Sequence, residues 1–221
     1  MTAELNEYQI VAILESAYSG AVYDAMRELG LDAGILPNDI RPLDPTIPLV
    51  GKVWTCSGGM VDGLSQDESL LSWTGMLGAA PPGSVVVCQP NDSTIAHMGE
   101  LSAETLKFRS VKGYVVDGGN RDTDFILKLG FPVFCRYLTP SDIVERWKIQ
   151  TMGEPIKIGD VKIHTGDYIL GDRDGVVVIP AASASAVANH VDEVMNTENE
   201  LRNMILDGMD PQEAYIKYQR F

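Results

Sequence analysis

The chain has 221 residues, 45% hydrophobic and 22% charged, enough apolar material for one sizeable core and far from the composition of a disordered segment. Its formal net charge of −14, with no cluster of Lys and Arg, excludes nucleic acid as the expected partner, because a phosphate backbone needs clustered cations. An anionic substrate must then be held by a local device, such as an arginine together with a divalent cation.

No polar linker parts two halves, so residues 1–221 read as a single α/β domain. Cys56, Cys88 and Cys135 are far apart, each inside a strand-like run, with no zinc or disulfide spacing. They predict buried free thiols in a reducing cytosol. The stretch Met1-Thr-Ala-Glu-Leu-Asn-Glu7 has no basic segment followed by an apolar one, and no apolar run nears membrane-spanning length. A cytoplasmic location without membrane contact is the expectation.

In chain order, residues 8–15 predict a short helix, and Ser19-Gly20 opens a second over 21–29 that Gly30 ends. Asp24 in that helix reads either as a functional acid or as a polar contact to a neighbouring loop. Turn formers fill 37–48, a strand follows over 49–56, and Gly58-Gly59 reads as a turn, since no Lys or Ser/Thr follows in phosphate-loop register. After a helix over 66–75, the tract Gly78-Ala-Ala-Pro-Pro-Gly83 turns the chain into a strand over 83–88. Helices over 100–108 and 122–129 flank a strand at 114–116, and another strand covers 131–137. Residues 156–179 predict several short antiparallel strands, barrel-like, in which Asp172-Arg-Asp-Gly175 lacks the remaining ligands of a calcium loop and reads as a hairpin turn. The last helix, about 183–207, carries an apolar stripe at Val187, Val191, Val194, Leu201 and Ile205 that suits subunit contact. Glu198 falls on that stripe. It either meets a cation or a metal's water shell, or snorkels to solvent, with Glu200 as the neighbouring alternative.

The chemistry concentrates in Gly113-Tyr-Val-Val-Asp-Gly-Gly-Asn-Arg-Asp122, a strand, a glycine turn and a helix start, read with Gly99-Glu100-Leu101 before it. Two successive strand-then-helix units imply parallel strands joined by right-handed crossovers, with their carboxyl ends on the sheet edge where α/β ligands bind. The spacing therefore predicts that Glu100 faces Arg121 and Asp122 across one crevice. Two ordinary helix N-termini with capping acids would give the same pattern. No Gly-x-Ser-x-Gly, paired Cys and His, dinucleotide fingerprint or lysine placed for Schiff-base chemistry is present, and His97, His164 and His190 lack metal-ligand spacing. His97 either lines the crevice or sits in a surface loop. Metal-assisted chemistry is what remains.

The acid, the interval of about twenty residues and the Arg-Asp pair resemble the signature of the family that contains 4-hydroxy-4-methyl-2-oxoglutarate aldolase and the regulator of ribonuclease E activity A. Gly99-Glu-Leu101, Val115-Val-Asp-Gly118, Gly130-Phe-Pro-Val-Phe134 and Gly171-Asp-Arg-Asp-Gly-Val-Val-Val-Ile-Pro180 resemble further family blocks. Where the family's aldolases carry Asp as the first acid, this chain has Glu100. The resemblance implies a swivelling β/β/α fold with central parallel strands, flanking helices and a β-rich half, assembled as homotrimers or pairs of trimers.

For function, the resemblance implies a Mg²⁺- or Mn²⁺-dependent aldolase that splits a 4-hydroxy-2-oxo diacid to pyruvate and also decarboxylates oxaloacetate. Asp122 would be the direct metal ligand, and Glu198 of an adjacent protomer would complete the metal site. Arg121 and the backbone N–H groups of Leu101 and Ser102 would stabilise the pyruvate enolate. Glu100 would orient or deprotonate a water that takes the C4 hydroxyl proton. The alternative is a non-catalytic protein that binds ribonuclease E. That branch does not keep the metal-ligand acid, and Asp122 is present here.

Overall fold

A computed structural model describes residues 4–32 and 34–218. Helices α1 (Glu7–Ser16) and α2 (Ser19–Glu28) open the chain, followed by short strands β1 (Gly34–Ile35) and β2 (Arg41–Pro42) and the long β3 (Leu49–Met60). Then come α3 (Gln66–Ala79), β4 (Ser84–Gln89), α4 (Glu100–Phe108), β5 (Gly113–Val116), β6 (Gly119–Asn120) and α5 (Thr123–Leu129). Strands β7 (Val133–Cys135), β8 (Tyr137–Leu138), β9 (Trp147–Met152), β10 (Ile156–Ile158), β11 (Val161–Ile163), β12 (Tyr168–Gly171) and β13 (Val176–Ile179) lead to α6 (Ala184–Leu206) and α7 (Pro211–Tyr218). Among the described residues no helix is long and apolar enough to cross a membrane.

The main sheet runs β1-β13-β12-β3-β4-β5-β7-β2, with β9 also paired to β3. Its centre, β3 to β4 to β5 to β7, is parallel, and the flanking strands are antiparallel. The fold is therefore the mixed α/β arrangement the sequence predicts. Continuous apolar runs form the centre because both faces are covered. Along β4, Val86 and Cys88 join Trp54, Tyr114 and Ile126 under α3, α4 and α5. Val85 and Val87 point the other way, into a core shared with Phe134, Ile163 and Ile169 of the β-rich half. A third cluster packs α1, α2 and α6 on β12 and β13. The three cysteines are free and buried.

Several local expectations change. Gly58 and Gly59 are not a turn: β3 continues through them with a register shift at Ser57/Gly58, paired to β9. The strand expected over 131–137 breaks at Arg136, whose side chain binds both Asp117 and Asp39. Asp24 pairs with Arg27 of its own helix at 2.7 Å, not with a neighbouring loop. The hairpin at Asp172 forms as expected, with the Asp172 N–H donating to Gly175 O at 2.9 Å. Of the α6 stripe, Val187, Val191 and Val194 are buried against the chain's own α1 and α2, so that half has no surface left for a subunit contact.

Gly58 is glycine because Trp147 lies against it. A Cβ there would fall 2.0 Å from Trp147 Cζ2 and 2.5 Å from Lys148 O. The indole cannot retreat, being fully buried and donating its Nε1–H to Pro90 O at 2.8 Å. Gly58→Ala should therefore cost at least about 1–3 kcal/mol, read as a lowered denaturant midpoint with an unchanged slope; a wild-type midpoint would show that this wall is soft.

Candidate functional site

The site forms where the segments after β4 and β5 run side by side. The His97 N–H donates to Gly119 O at 2.8 Å and the Arg121 N–H to Met98 O at 3.0 Å, so residues 96–98 and 119–121 are laced together like two short strands. Gln89 Nε2 donates to Asp117 Oδ2 at 2.7 Å, and Arg136 grips the other Asp117 oxygen, fixing the glycine turn at its base. The outcome is the expected one: Glu100, Leu101, Ser102, Arg121 and Asp122 line one cleft of ≈ 390 Å³.

Asp122 takes left-handed backbone angles, φ 56 and ψ 34, which Asp tolerates better than most residues. In this conformation it makes no side-chain cap on its own helix. Instead its Oδ2 accepts the Glu100 N–H of α4 at 3.2 Å. The N-cap of α4, Gly99, has no side chain to do this, and a Cβ there would lie 2.7 Å from Asp122 Oδ2. Arg121 Nε stands 3.4 Å from the same oxygen, while its Nη1 reaches Asp142 Oδ2 at 3.2 Å. Leu101 and Ser102 are the next helical positions, with no carbonyl in register for their N–H groups. They are free to meet an anion. The Leu101 side chain is 76% exposed, so only its backbone suits such a role.

The cleft lining carries Glu100, Asp122 and Asp142 against one guanidinium, a formal excess of two negative charges. Oxygen donors of this kind suit Mg²⁺ or Mn²⁺, which are often held by one or two carboxylates and keep several waters. Asp122 Oδ1 accepts no hydrogen bond among the described residues, which leaves it open to a cation. Among the described residues no three His, Cys, Asp or Glu side chains group as a metal cage. A hard cation therefore fits on Asp122 with waters, and not in a closed protein site.

Glu198 lies elsewhere in the chain. It accepts the Tyr18 hydroxyl and lines a shallow apolar depression with Leu201, Arg202, Ile205 and Leu206. Burial, then Glu198 itself, pushes the Tyr18 hydroxyl up to about 12.

Sequence reasoning missed one residue of the cleft, Asp142, and left a second, His97, between the crevice and a surface loop. Asp142 comes from a distant loop, and nothing in its local pattern distinguishes it. His97 is not in a surface loop: it is 1% exposed, edge-on to Trp147 with ring centroids 5.2 Å apart, and 3.5 Å from Asp92 through Nε2. Neither ring nitrogen has a hydrogen-bond partner among the described residues. Its proximity to Glu100 in sequence was the available signal.

A parallel-centred α/β sheet with an arginine-carboxylate pair in a cleft at its carboxyl edge is the class of structure this chain presents. The chain belongs to the RraA-like family, Aldolase/RraA, whose model matches residues 19–178. A Halalkalibacterium halodurans protein whose name proposes a 4-hydroxy-4-methyl-2-oxoglutarate aldolase is 29% identical over 82% of this chain and 83% of its own. A crystal structure described among novel cellulases from microbes associated with the gut ecosystem is 32% identical, with TM-score 0.83 over 90% of each chain. Streptomyces coelicolor RraAS2, described as an unusual member of the RNase ES inhibitor RraA protein family, shares the fold. Its TM-score is 0.78 at 24% identity, over 90% of this chain and 98% of its own.

Burial lowers the His97 pKa from 6.5 to about 4, Asp92 opposing the shift. The unfolded chain thus binds the proton more readily, so stability is complete above about pH 6.5 and is lost as pH falls toward 4. A window of that width is worth of order 3 kcal/mol. Unfolding free energy measured from pH 7 to 4 should fall more steeply for wild type than for His97→Leu; parallel curves would mean that His97 titrates normally.

Proposed function

We propose that this protein is a divalent-metal-dependent pyruvate aldolase that cleaves a 4-hydroxy-2-oxo acid and decarboxylates oxaloacetate. The diacid 4-hydroxy-4-methyl-2-oxoglutarate, in the name of its Halalkalibacterium halodurans relative, is the model compound. The observation that carries the reading is Arg121 and Asp122 held against the amino end of α4 in one cleft. A homotrimer or homohexamer in the cytoplasm, with neither nucleic acid nor membrane as partner, completes the proposal.

Asp122 would hold Mg²⁺ or Mn²⁺, and Glu198 of a second copy would add a carboxylate that its own chain keeps at Tyr18. When bound, the ion supplies Lewis acidity toward the keto oxygen. Arg121 binds and orients the substrate carboxylate, its Nε and Nη1 already fixed by Asp122 and Asp142. The Leu101 and Ser102 N–H groups offer donors to the charge that develops on the enolate oxygen. Glu100 takes the C4 hydroxyl proton, directly or through a water.

The regulator reading is favoured by the RraA part of the family's description and by the Streptomyces coelicolor neighbour. Asp122 and its capping contact weigh against it, since a binding ring has no use for a carboxylate held in left-handed backbone. Recovery of ribonuclease E in a pull-down, with no turnover on any 2-oxo acid, would reverse the preference. A polysaccharide reading has less support, because the cleft centres on a guanidinium and free N–H groups that suit an anion.

Asp122→Asn keeps size and one oxygen but removes the charge that holds a hard cation, so metal affinity, aldol cleavage and decarboxylation should fail together. Glu100→Gln leaves metal binding intact. Aldol cleavage should drop by roughly 10² to 10⁴, while decarboxylation, with no hydroxyl proton to remove, suffers far less. Full activity in Asp122→Asn would move the metal site off this strand edge, and equal loss of both reactions in Glu100→Gln would make Glu100 an organiser instead of the base.

A further inference from the structure

The left-handed backbone of Asp122, φ 56 and ψ 34, places its carboxylate at the cleft. A non-glycine residue does not rest in that region without support. The bond from the Glu100 N–H reaches only the end of the Asp122 side chain. The backbone is tied separately, by the residue two positions earlier. Asn120 Nδ2 donates to Arg121 O at 2.9 Å and to Thr123 Oγ1 at 3.1 Å. The first bond pins the peptide plane on the amino side of Asp122, from which φ is measured, and the second pins the residue beyond its ψ. One amide group thus spans the left-handed residue.

That amide has a rigid base. Asn120 is fully buried in β6, in register with Leu138 of β8, and its carbonyl accepts the Thr139 N–H at 3.1 Å. Neither Asn120 nor Thr123 lines the cleft; with Arg121 and Asp122 they line a neighbouring cavity of ≈ 320 Å³. The bridge therefore acts on the Arg-Asp pair from behind, and not on a ligand in the cleft. Asn120 Oδ1 has no hydrogen-bond partner among the described residues, so replacing the amide breaks the two donated bonds and no other side-chain bond there.

We propose that Asn120 is a positioning residue: its side-chain amide, bridging Arg121 O and Thr123 Oγ1, locks Asp122 in the left-handed conformation from which its carboxylate serves both α4 and a bound cation. This rests on the reading of Asp122 as the metal-holding acid and adds the group that keeps it in place. Without an N–H donor at position 120, Asp122 relaxes toward right-handed angles, which are the lower in energy for an L-residue. That rotation carries the carboxylate away from the Glu100 N–H and from Arg121 Nε, the two contacts that fix it now.

The test uses the purified full-length protein with Mn²⁺ as the probe, read by calorimetry. Asn120→Val removes both bonds and should weaken Mn²⁺ binding by about tenfold, while Thr123→Val removes one and should weaken it by about threefold. Thr123→Ser keeps the hydroxyl and should bind as wild type. Crystal structures of the variants read the Asp122 φ directly, with or without an ion: it should leave the left-handed region in Asn120→Val and keep it in Thr123→Ser. If Asn120→Val does not fold, the Thr123 pair decides. Wild-type Mn²⁺ affinity with an unchanged φ in Asn120→Val overturns the inference, as do Thr123→Val and Thr123→Ser proteins that bind Mn²⁺ alike. Failure of the wild type to bind Mn²⁺ removes the metal reading alone, and the Asp122 angle in the variant structures then decides whether Asn120 holds it.

Discussion

The hydrogen bond from the Glu100 N–H to the Asp122 carboxylate adds a side-chain tie to the two strand-to-helix turns on which the site depends, which the His97 and Arg121 N–H groups already lace together through Gly119 O and Met98 O. Each turn alone is an ordinary feature of an α/β sheet. Joined, they oblige Asp122 to leave its own helix uncapped and take left-handed backbone, and they oblige position 99 to carry no side chain. The left-handed angles at Asp122 carry strain of order 1 kcal/mol or more. The return is a carboxylate and a guanidinium held in fixed register beside free N–H groups.

The surroundings keep that register. Arg121 is stretched between Asp122 and Asp142, and Asp117 is clamped by Gln89 and Arg136 beneath the turn. Behind the cleft, Trp147 packs on His97 and Trp73. Burial there keeps His97 neutral, so the cleft holds an excess of negative charge that Arg121 alone does not balance.

Much of this was legible in the sequence. The β-branched runs at 84–88 and 113–116 and the helix starts after them fix both strand-helix units, and their spacing brings Glu100 to Arg121 and Asp122. What escaped depends on tertiary contact. Gly58-Gly59 has the composition of a turn, yet it is strand because Trp147, far along the chain, needs the space a side chain would fill. Asp142 enters the cleft from a loop whose local sequence carries no signal, and the choice between crevice and surface loop at His97 is decided by burial partners that periodicity does not reveal. The α6 stripe read correctly as an apolar face, but its partner over Val187 to Val194 is the chain's own α1 and α2. Periodicity shows that a face is covered, not by what.

If Asp122 and Arg121 together hold a hard cation and a pyruvate-like anion, an enolate mimic binds only when the cation is present. Oxalate, a planar dianion that mimics the enolate of pyruvate, tests this directly by calorimetric titration with and without Mn²⁺. Binding should require Mn²⁺ and should weaken by at least about tenfold in Arg121→Ala, the loss of one charge-assisted hydrogen-bonded contact. Equal oxalate affinity with and without Mn²⁺, or no binding in its presence, would contradict the account.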